Sequence, residues 1–366
     1  MQAVTPAPDG CYVGFNTAEG CNALLNNVTG QGNTGLGWYA QALGDSSYNT
    51  GVGAGALVLN TGDSNSAVGA VALLLNTDGT QNCAFGTDAL VYNGQTPGSG
   101  ADYNDAFGVF ALFNNADGFS NNAFGNSALI QNISGAANTA VGDLALQNNG
   151  VGGSTKASAN TAVGAQALYA NDDGDSNNAF GYNALAANVS GSQNNAMGFN
   201  ALGASTGAAN TAVGDSALAD SVTGSFNTVV GWGAGGGVEG DDNVYIGSTA
   251  GLPGGGSESG TIRIGDPTFV SACFVAGISG VSSSGNPVCV GSDGQLGECS
   301  AGGKPVSMNE LLKDHAVMQK QAARIALQEG QIQTLTAALK QQAEQIQKVS
   351  AQLEMIRPTP RVVNNQ

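Results

Sequence analysis

The stretch Asn177–Leu185, NNAFGYNAL, is written again at Asn160 as NTAVGAQAL and at Asn210 as NTAVGDSAL. The shared phrase is N-x-A-x-G-x-x-A-L. It starts also at Asn16, Asn33, Asn49, Asn65, Asn82, Asn104, Asn121, Asn138 and Asn194, and degenerates at Asn227 and Asn243. Successive starts lie 16 or 17 residues apart, except for two steps of 22, from Asn82 to Asn104 and from Asn138 to Asn160. A near-fixed period of this kind decides the architecture before any single residue does.

Within one unit the N-x-A-x-G segment reads as a strand of about five residues, bounded by turn-forming Asn and Gly. A second short segment, A-L-x-x-N, follows, and a turn returns the chain to the next Asn. Glycines this closely spaced leave no room for a helix of ten or more residues. Two short strands and two turns per unit make one coil of a parallel β-solenoid. In NTAVG, Ala and Gly point one way and Thr and Val the other. Neither face is charged, so burial on both sides is expected. The face lined by Ala and Gly is expected to approach something flat, most simply another copy of the chain.

The two longer units carry Gly-rich insertions, NGQTPGSGADYN before Asn104 and NNGVGGSTKASAN before Asn160. FSNNAFGNSALIQNISG and DSNNAFGYNALAANVSG lie 56 residues apart, which points to duplication of a three-coil block. Insertions in repeat proteins map to loops on one face, often a binding face. A neutral surface insertion is the plainer alternative.

Gly accounts for 57 of 366 residues and charged residues for only 10%, yet 42% of the chain is apolar at fixed spacing, which fits an ordered solenoid better than disorder. Residues 1–262 hold one basic residue, Lys156, against nineteen acidic ones, whereas residues 263–366 hold nine against eight. So acidic a surface repels phosphate backbones and argues against nucleic-acid binding. No apolar run approaches the ~20 residues of a membrane helix, so no membrane insertion is expected. The opening MQAVTPAPDG reads as the mature end left behind by a removed leader.

Residues 1–15 are expected to cap the first coil, 16–251 to form the repeat, 252–299 a β-rich neck and 300–307 a linker. From Met308 the character changes. Leu311, Met318, Ile325, Ile332, Leu339, Ile346 and Leu353 recur every seven residues as heptad position a, while Leu335, Val349 and Ile356 share position d with Asp314, Gln321, Gln328 and Gln342. That pattern predicts a coiled-coil stalk over 308–357, about 70 Å long, followed by a flexible tail at 358–366. Ile at a with polar d positions is compatible with three strands.

The Asn-Gly coils resemble the heads of trimeric autotransporter adhesins, although those heads usually read N-S-V-A-I-G where this chain has N-x-A-V-G. The resemblance implies a left-handed parallel β-roll assembled from three chains. The segment from TIRIG to DGQLG resembles the neck that precedes an endosialidase-type chaperone in phage tail fibres and related bacterial surface proteins. No counterpart of that chaperone, or of the adhesins' membrane barrel, is read in this sequence.

Chemistry finds little support. His315 is the sole histidine and falls at heptad position e, where a solvated residue is the plain reading. There is no P-loop, and the G-x-G runs are turn glycines. The acids mostly sit one per turn, not in facing pairs as glycan hydrolysis requires. Asp172, Asp173, Asp175, Asp241 and Asp242 form oxygen-rich turns that are candidates for calcium, although solvated Asx turns are the plainer account. None of the six cysteines forms a C-x-x-C pair. Cys11 with Cys21, and two of Cys273, Cys289 and Cys299, are candidate disulfides or else buried thiols. The expected function is a non-enzymatic, secreted or cell-surface homotrimeric fibre, binding a glycan, matrix or cell-surface receptor multivalently. A phage-type tail fibre is the alternative, and a carbohydrate-active solenoid a third.

Overall fold

The computed structural model describes residues 14–95, 98, 100–151, 157–221, 223–251, 256–266, 268, 288–290, 296–298 and 308–356. They fall into two units, divided after Cys273.

The first unit is an all-parallel β-solenoid of about fourteen turns. Fifteen strands of three residues pair strictly in chain order, from β1 (Thr17–Glu19) through β5 (Cys83–Phe85), β6 (Asp105–Phe107) and β7 (Asn122–Phe124) to β13 (Thr228–Val230), β14 (Val244–Ile246) and β15 (Ile262–Ile264). Every coil keeps the same register, so Ala106 faces Ala123 and Ala123 faces Ala140. The TIRIG segment, expected to open the neck, instead adds the fifteenth strand by pairing with Val244–Ile246.

Each coil has one strand and not two. The A-L-x-x-N segment forms a turn whose backbone still bonds from coil to coil, as Leu57 N–H does to Ala72 O at 3.0 Å and Leu59 N–H to Leu74 O at 3.0 Å. Its leucines take φ near +50°, for example +51° at Leu90, Leu112 +50° and Leu168 +51°. No extended strand passes through that region, which is why the second strand is missing. The glycine ending each strand is required by space. At Gly125, with φ +147°, an added Cβ would lie 2.5 Å from Gly142 O in the next coil.

The strand faces are the reverse of the expected ones. The central Ala of each strand points into the coil and is almost wholly buried, as at Ala84, Ala123 and Ala179, while its Thr and Val or Phe neighbours point outward. The coil is narrow. Opposite the strand stand the Ala and Leu of the turn segment, stacked from Leu57 to Leu218 with no exposure, and between two backbones only a methyl group fits beside each leucine.

Two columns of buried asparagine tie the coils together. In the first, the backbone N–H of each coil's leading Asn donates to Oδ1 of the Asn before it, at 2.7–3.1 Å from Asn16 to Asn243. The Nδ2 of the same side chain reaches a carbonyl in the next turn, as Asn160 does to Gly174 O at 2.8 Å. In the second column, Asn76, Asn93, Asn115, Asn132, Asn149, Asn171 and Asn188 each donate to the carboxamide oxygen before them, beginning at Asn60, at 2.5–2.9 Å. A buried amide is tolerated only when its hydrogen-bonding capacity is used, and here the fold uses both ends of the column amides except at Asn188, whose Oδ1 has no partner within the protein.

The 22-residue coils leave this frame intact. Asn104 N–H still finds Asn82 Oδ1 at 2.9 Å, and the insertion is pinched off where Asn93 Nδ2 donates to Ala101 O at 2.9 Å and Asn149 Nδ2 to Ala157 O at 2.8 Å.

In the second unit, β16 (Val288–Val290) and β17 (Leu296–Glu298) form an antiparallel pair, and α1 (Met308–Ile356) is a single helix. Among the described residues no helix is long and apolar enough to cross a membrane.

Candidate functional site: the outer strand face

Because the strand is only three residues long, its first and third side chains both face outward. The third position is apolar in every coil from Leu36 to Ile264. At about 4.8 Å per strand, this makes a stripe roughly 60 Å long, parallel to the coil axis. Phe85 and Phe107 stack at 6.1 Å between ring centroids and 17° between planes, and Phe107 and Phe124 at 4.8 Å and 4°. The rings therefore cover one another's faces and present their edges outward. Phe85 remains 54% exposed and Phe124 41%, so the stacking does not bury them. Among the described residues nothing covers the exposed members of this stripe, and exposed apolar patches of more than a few hundred Å² mark interaction surfaces.

The first strand position is most often Thr or Asn, with Cys83 and Asp105 adjacent in the paired strands β5 and β6. Burial pushes the Asp105 carboxyl above its ordinary range, and burial with the nearby Asp105 charge pushes the Cys83 thiol up. Both lie beside the Phe85–Phe107–Phe124 stack.

A second apolar surface is strongest in the early coils and continues less regularly through Ile130 and Tyr169. Leu25, Leu43 and Leu59 follow the A-L segment and are exposed, and Tyr92 meets Phe113 edge-on at 5.0 Å. In later coils the same positions hold Gln147, Ala186, Ala204 and Asp220.

The turns are acidic. Among the described residues of the solenoid, Arg263 is the only basic one, and it pairs with Glu258 at 2.7 Å. Several turn carboxylates cap the neighbouring coil. Asp45 Oδ1 accepts the N–H groups of Val28, Thr29 and Gly30 at 2.9, 2.7 and 2.8 Å, and the Thr29 bond leads in holding its carboxyl below the ordinary value. Of the calcium candidates, Asp175 accepts Ser158 N–H at 2.7 Å and Asp241 accepts Ser225 N–H at 2.8 Å. Asp172 and Asp173 both donate their backbone N–H to Val189 O at 2.9 Å, while Asp242 takes φ +60° in the turn before Asn243. Among the described residues no group of three or more His, Cys, Asp or Glu side chains is gathered closely enough to hold a metal ion.

The C-terminal coils close differently. Tyr245 occupies the strand-centre position usually held by Ala and is fully buried. Its hydroxyl donates to Glu258 Oε1 at 2.6 Å, and Arg263 Nε and Nη2 donate to Glu258 at 2.9 and 2.7 Å. Gly235 stands where the repeat places Leu. A Cβ there would lie 2.9 Å from Leu218 Cδ2 and 3.3 Å from Tyr245 Cδ2, so the tyrosine ring fills the missing leucine's space.

On α1, Ile325, Ile332, Leu335, Leu339, Ile346 and Val349 are exposed, at 54–66% of their surface. The side chains of Leu311, Met318, Leu353 and Ile356 lie outside the described set, as do Cys11, Cys273, Cys299 and the insertion residues 152–156. Cys21 is a free, exposed cysteine.

The asparagine columns and the Tyr245 plug escape a reading by turn propensity. An Asn at the first place of every coil is the signal for the former, and the coincidence of a missing Leu with an added Tyr is the signal for the latter. The chain matches no family model, no curated protein and no solved structure.

Proposed function

We propose that the protein is a structural, non-enzymatic fibre, a homotrimer whose β-solenoid presents a long acidic surface for multivalent attachment outside the cell. The observation that carries this reading is the pair of uncovered apolar stripes. The outer strand face runs unbroken from Leu36 to Ile264, and the helix exposes its heptad residues from Ile325 to Val349. In water each stripe is costly to leave bare, and a second and third copy in parallel register would cover both. Acidic turns then remain outside, repeated once per coil or nearly so, where weak contacts with a glycan, matrix or cell-surface receptor add up by multivalency. Calcium bridging between such turns and an acidic partner fits the same surface.

The reading is tested by presenting the protein to arrays of glycans and matrix proteins as the full chain and as a chain lacking residues 308–357. Binding that weakens sharply with the deletion, while each solenoid stays folded, is the expected result. Equal binding by both forms would contradict multivalent attachment.

A further inference from the structure

The second asparagine column stops inside the solenoid. From Asn76 to Asn188 each carboxamide donates to the one before it, the first acceptor being Asn60. The next coils carry Ser205 and Ser221 at that position, exposed by 0% and 1%. Asn188 Oδ1 and Ser205 Oγ are both buried and have no hydrogen-bond partner within the protein. They face a stretch of column where an amide group is expected.

The coil that starts at Asn49 shows what usually fills this place. It has the same 16-residue length, and Asn60-Thr61-Gly62 stands there as Ser205-Thr206-Gly207 does later. Asn60 Nδ2 donates to Gly62 O at 2.8 Å, and Asn60 Oδ1 accepts the next carboxamide, Asn76 Nδ2, at 2.5 Å. In the neighbouring coil Gly191 O receives two carboxamides, Asn177 at 2.8 Å and Asn188 at 2.9 Å. Gly207 O receives Asn194 Nδ2 at 2.8 Å but no second carboxamide. Serine ends at its hydroxyl, short of where an Asn amide would stand. Three polar atoms therefore converge on one amide-sized position: two acceptors, Asn188 Oδ1 and Gly207 O, and one hydroxyl able to donate, Ser205 Oγ.

We infer that this position is a binding site for a single buried water molecule. The water donates its two hydrogens to Asn188 Oδ1 and Gly207 O and accepts the Ser205 hydroxyl. Three hydrogen bonds is the usual complement of an internal water, and a polar, enclosed site with orphaned acceptors is where such waters are held. The water stands in for the missing carboxamide, so the hydrogen-bonded column continues through it. This inference is independent of the fibre reading.

A crystal structure of the full chain fine enough to show ordered water tests it directly. The expected result is a solvent peak within hydrogen-bond distance of Asn188 Oδ1 and Ser205 Oγ, isolated from bulk solvent. Ser205→Asn displaces the water and rebuilds the column, raising the melting temperature by roughly 2–4 °C. Ser205→Val removes one anchor and lowers it by a similar amount. A Ser205 hydroxyl bonded directly to Asn188 Oδ1 with no solvent peak overturns the inference, as does a Ser205→Val chain of unchanged stability. Should either variant fail to fold, the peak in the unmodified protein decides alone.

Discussion

Replacing Asn160 with Asp turns the leading column into a pH-dependent one. Asn160 is fully buried, its Oδ1 accepts Asn177 N–H at 2.9 Å, and its Nδ2 donates to Gly174 O at 2.8 Å. Asn160→Ala strands a buried N–H and a buried carbonyl, each at a cost of about 1–3 kcal/mol, so a loss of about 3 kcal/mol is expected at any pH. In Asn160→Asp the Asn177 bond survives, but an ionised oxygen then faces Gly174 O. Burial and that repulsion raise the carboxyl's folded pKa above its unfolded value of about 3.9. The penalty is therefore present above the folded pKa and fades as pH falls through it, because the protonated acid can donate to Gly174 O in place of the amide. Urea unfolding with hydrogen exchange at the Asn177 amide measures this, with the alanine variant as the pH-independent control. An aspartate variant as stable as the native chain at pH 7, or an alanine variant within ~0.5 kcal/mol of it, would refute the account of the column.

Other expectations follow from the same geometry. Gly235→Leu should destabilise the C-terminal coils by about 1–3 kcal/mol through overpacking against Tyr245, and adding Tyr245→Ala should recover most of that loss, as a double-mutant unfolding cycle would show. Arg263 holds Glu258 below its ordinary pKa, so this pair supports the fold above the unfolded carboxyl pKa and loses its effect as pH drops through the folded one. The pair is partly solvated, so its contribution should stay at or below ~1 kcal/mol, read from exchange at the Thr261 amide, which bonds Asn243 Oδ1 at 3.0 Å. Phe85, Phe107 and Phe124 all changed to Ser should leave the circular dichroism of the solenoid unchanged while weakening self-association in sedimentation.

The period was enough to place the strands that follow Asn16 through Asn243, because each coil must return to the same register and the leading Asn marks where. It said less about which way a strand faces. In NTAVG both sides are uncharged, so alternation alone allows either orientation, and the deciding fact is the narrow space beside stacked leucines such as Leu112 and Leu129. The A-L-x-x-N segment read as a second strand because it is short and bounded by turn residues, but its leucines adopt a left-handed conformation that sequence propensity assigns mainly to Gly and Asn. TIRIG was read apart from the repeat because it lacks the leading Asn. Thr261 takes that place, and its N–H makes the column's last bond by donating to Asn243 Oδ1. The apolar outer stripe was written plainly in the sequence, in the Val and Phe before each Gly. Its exposure became visible only once Ala was found inside.

We propose that three chains cover the stripes left bare by the described residues of one chain. Sedimentation equilibrium of the full chain at several concentrations tests it most directly. The account predicts one species of three times the 36.2 kDa chain mass, and a species of 36.2 kDa at every concentration would contradict it.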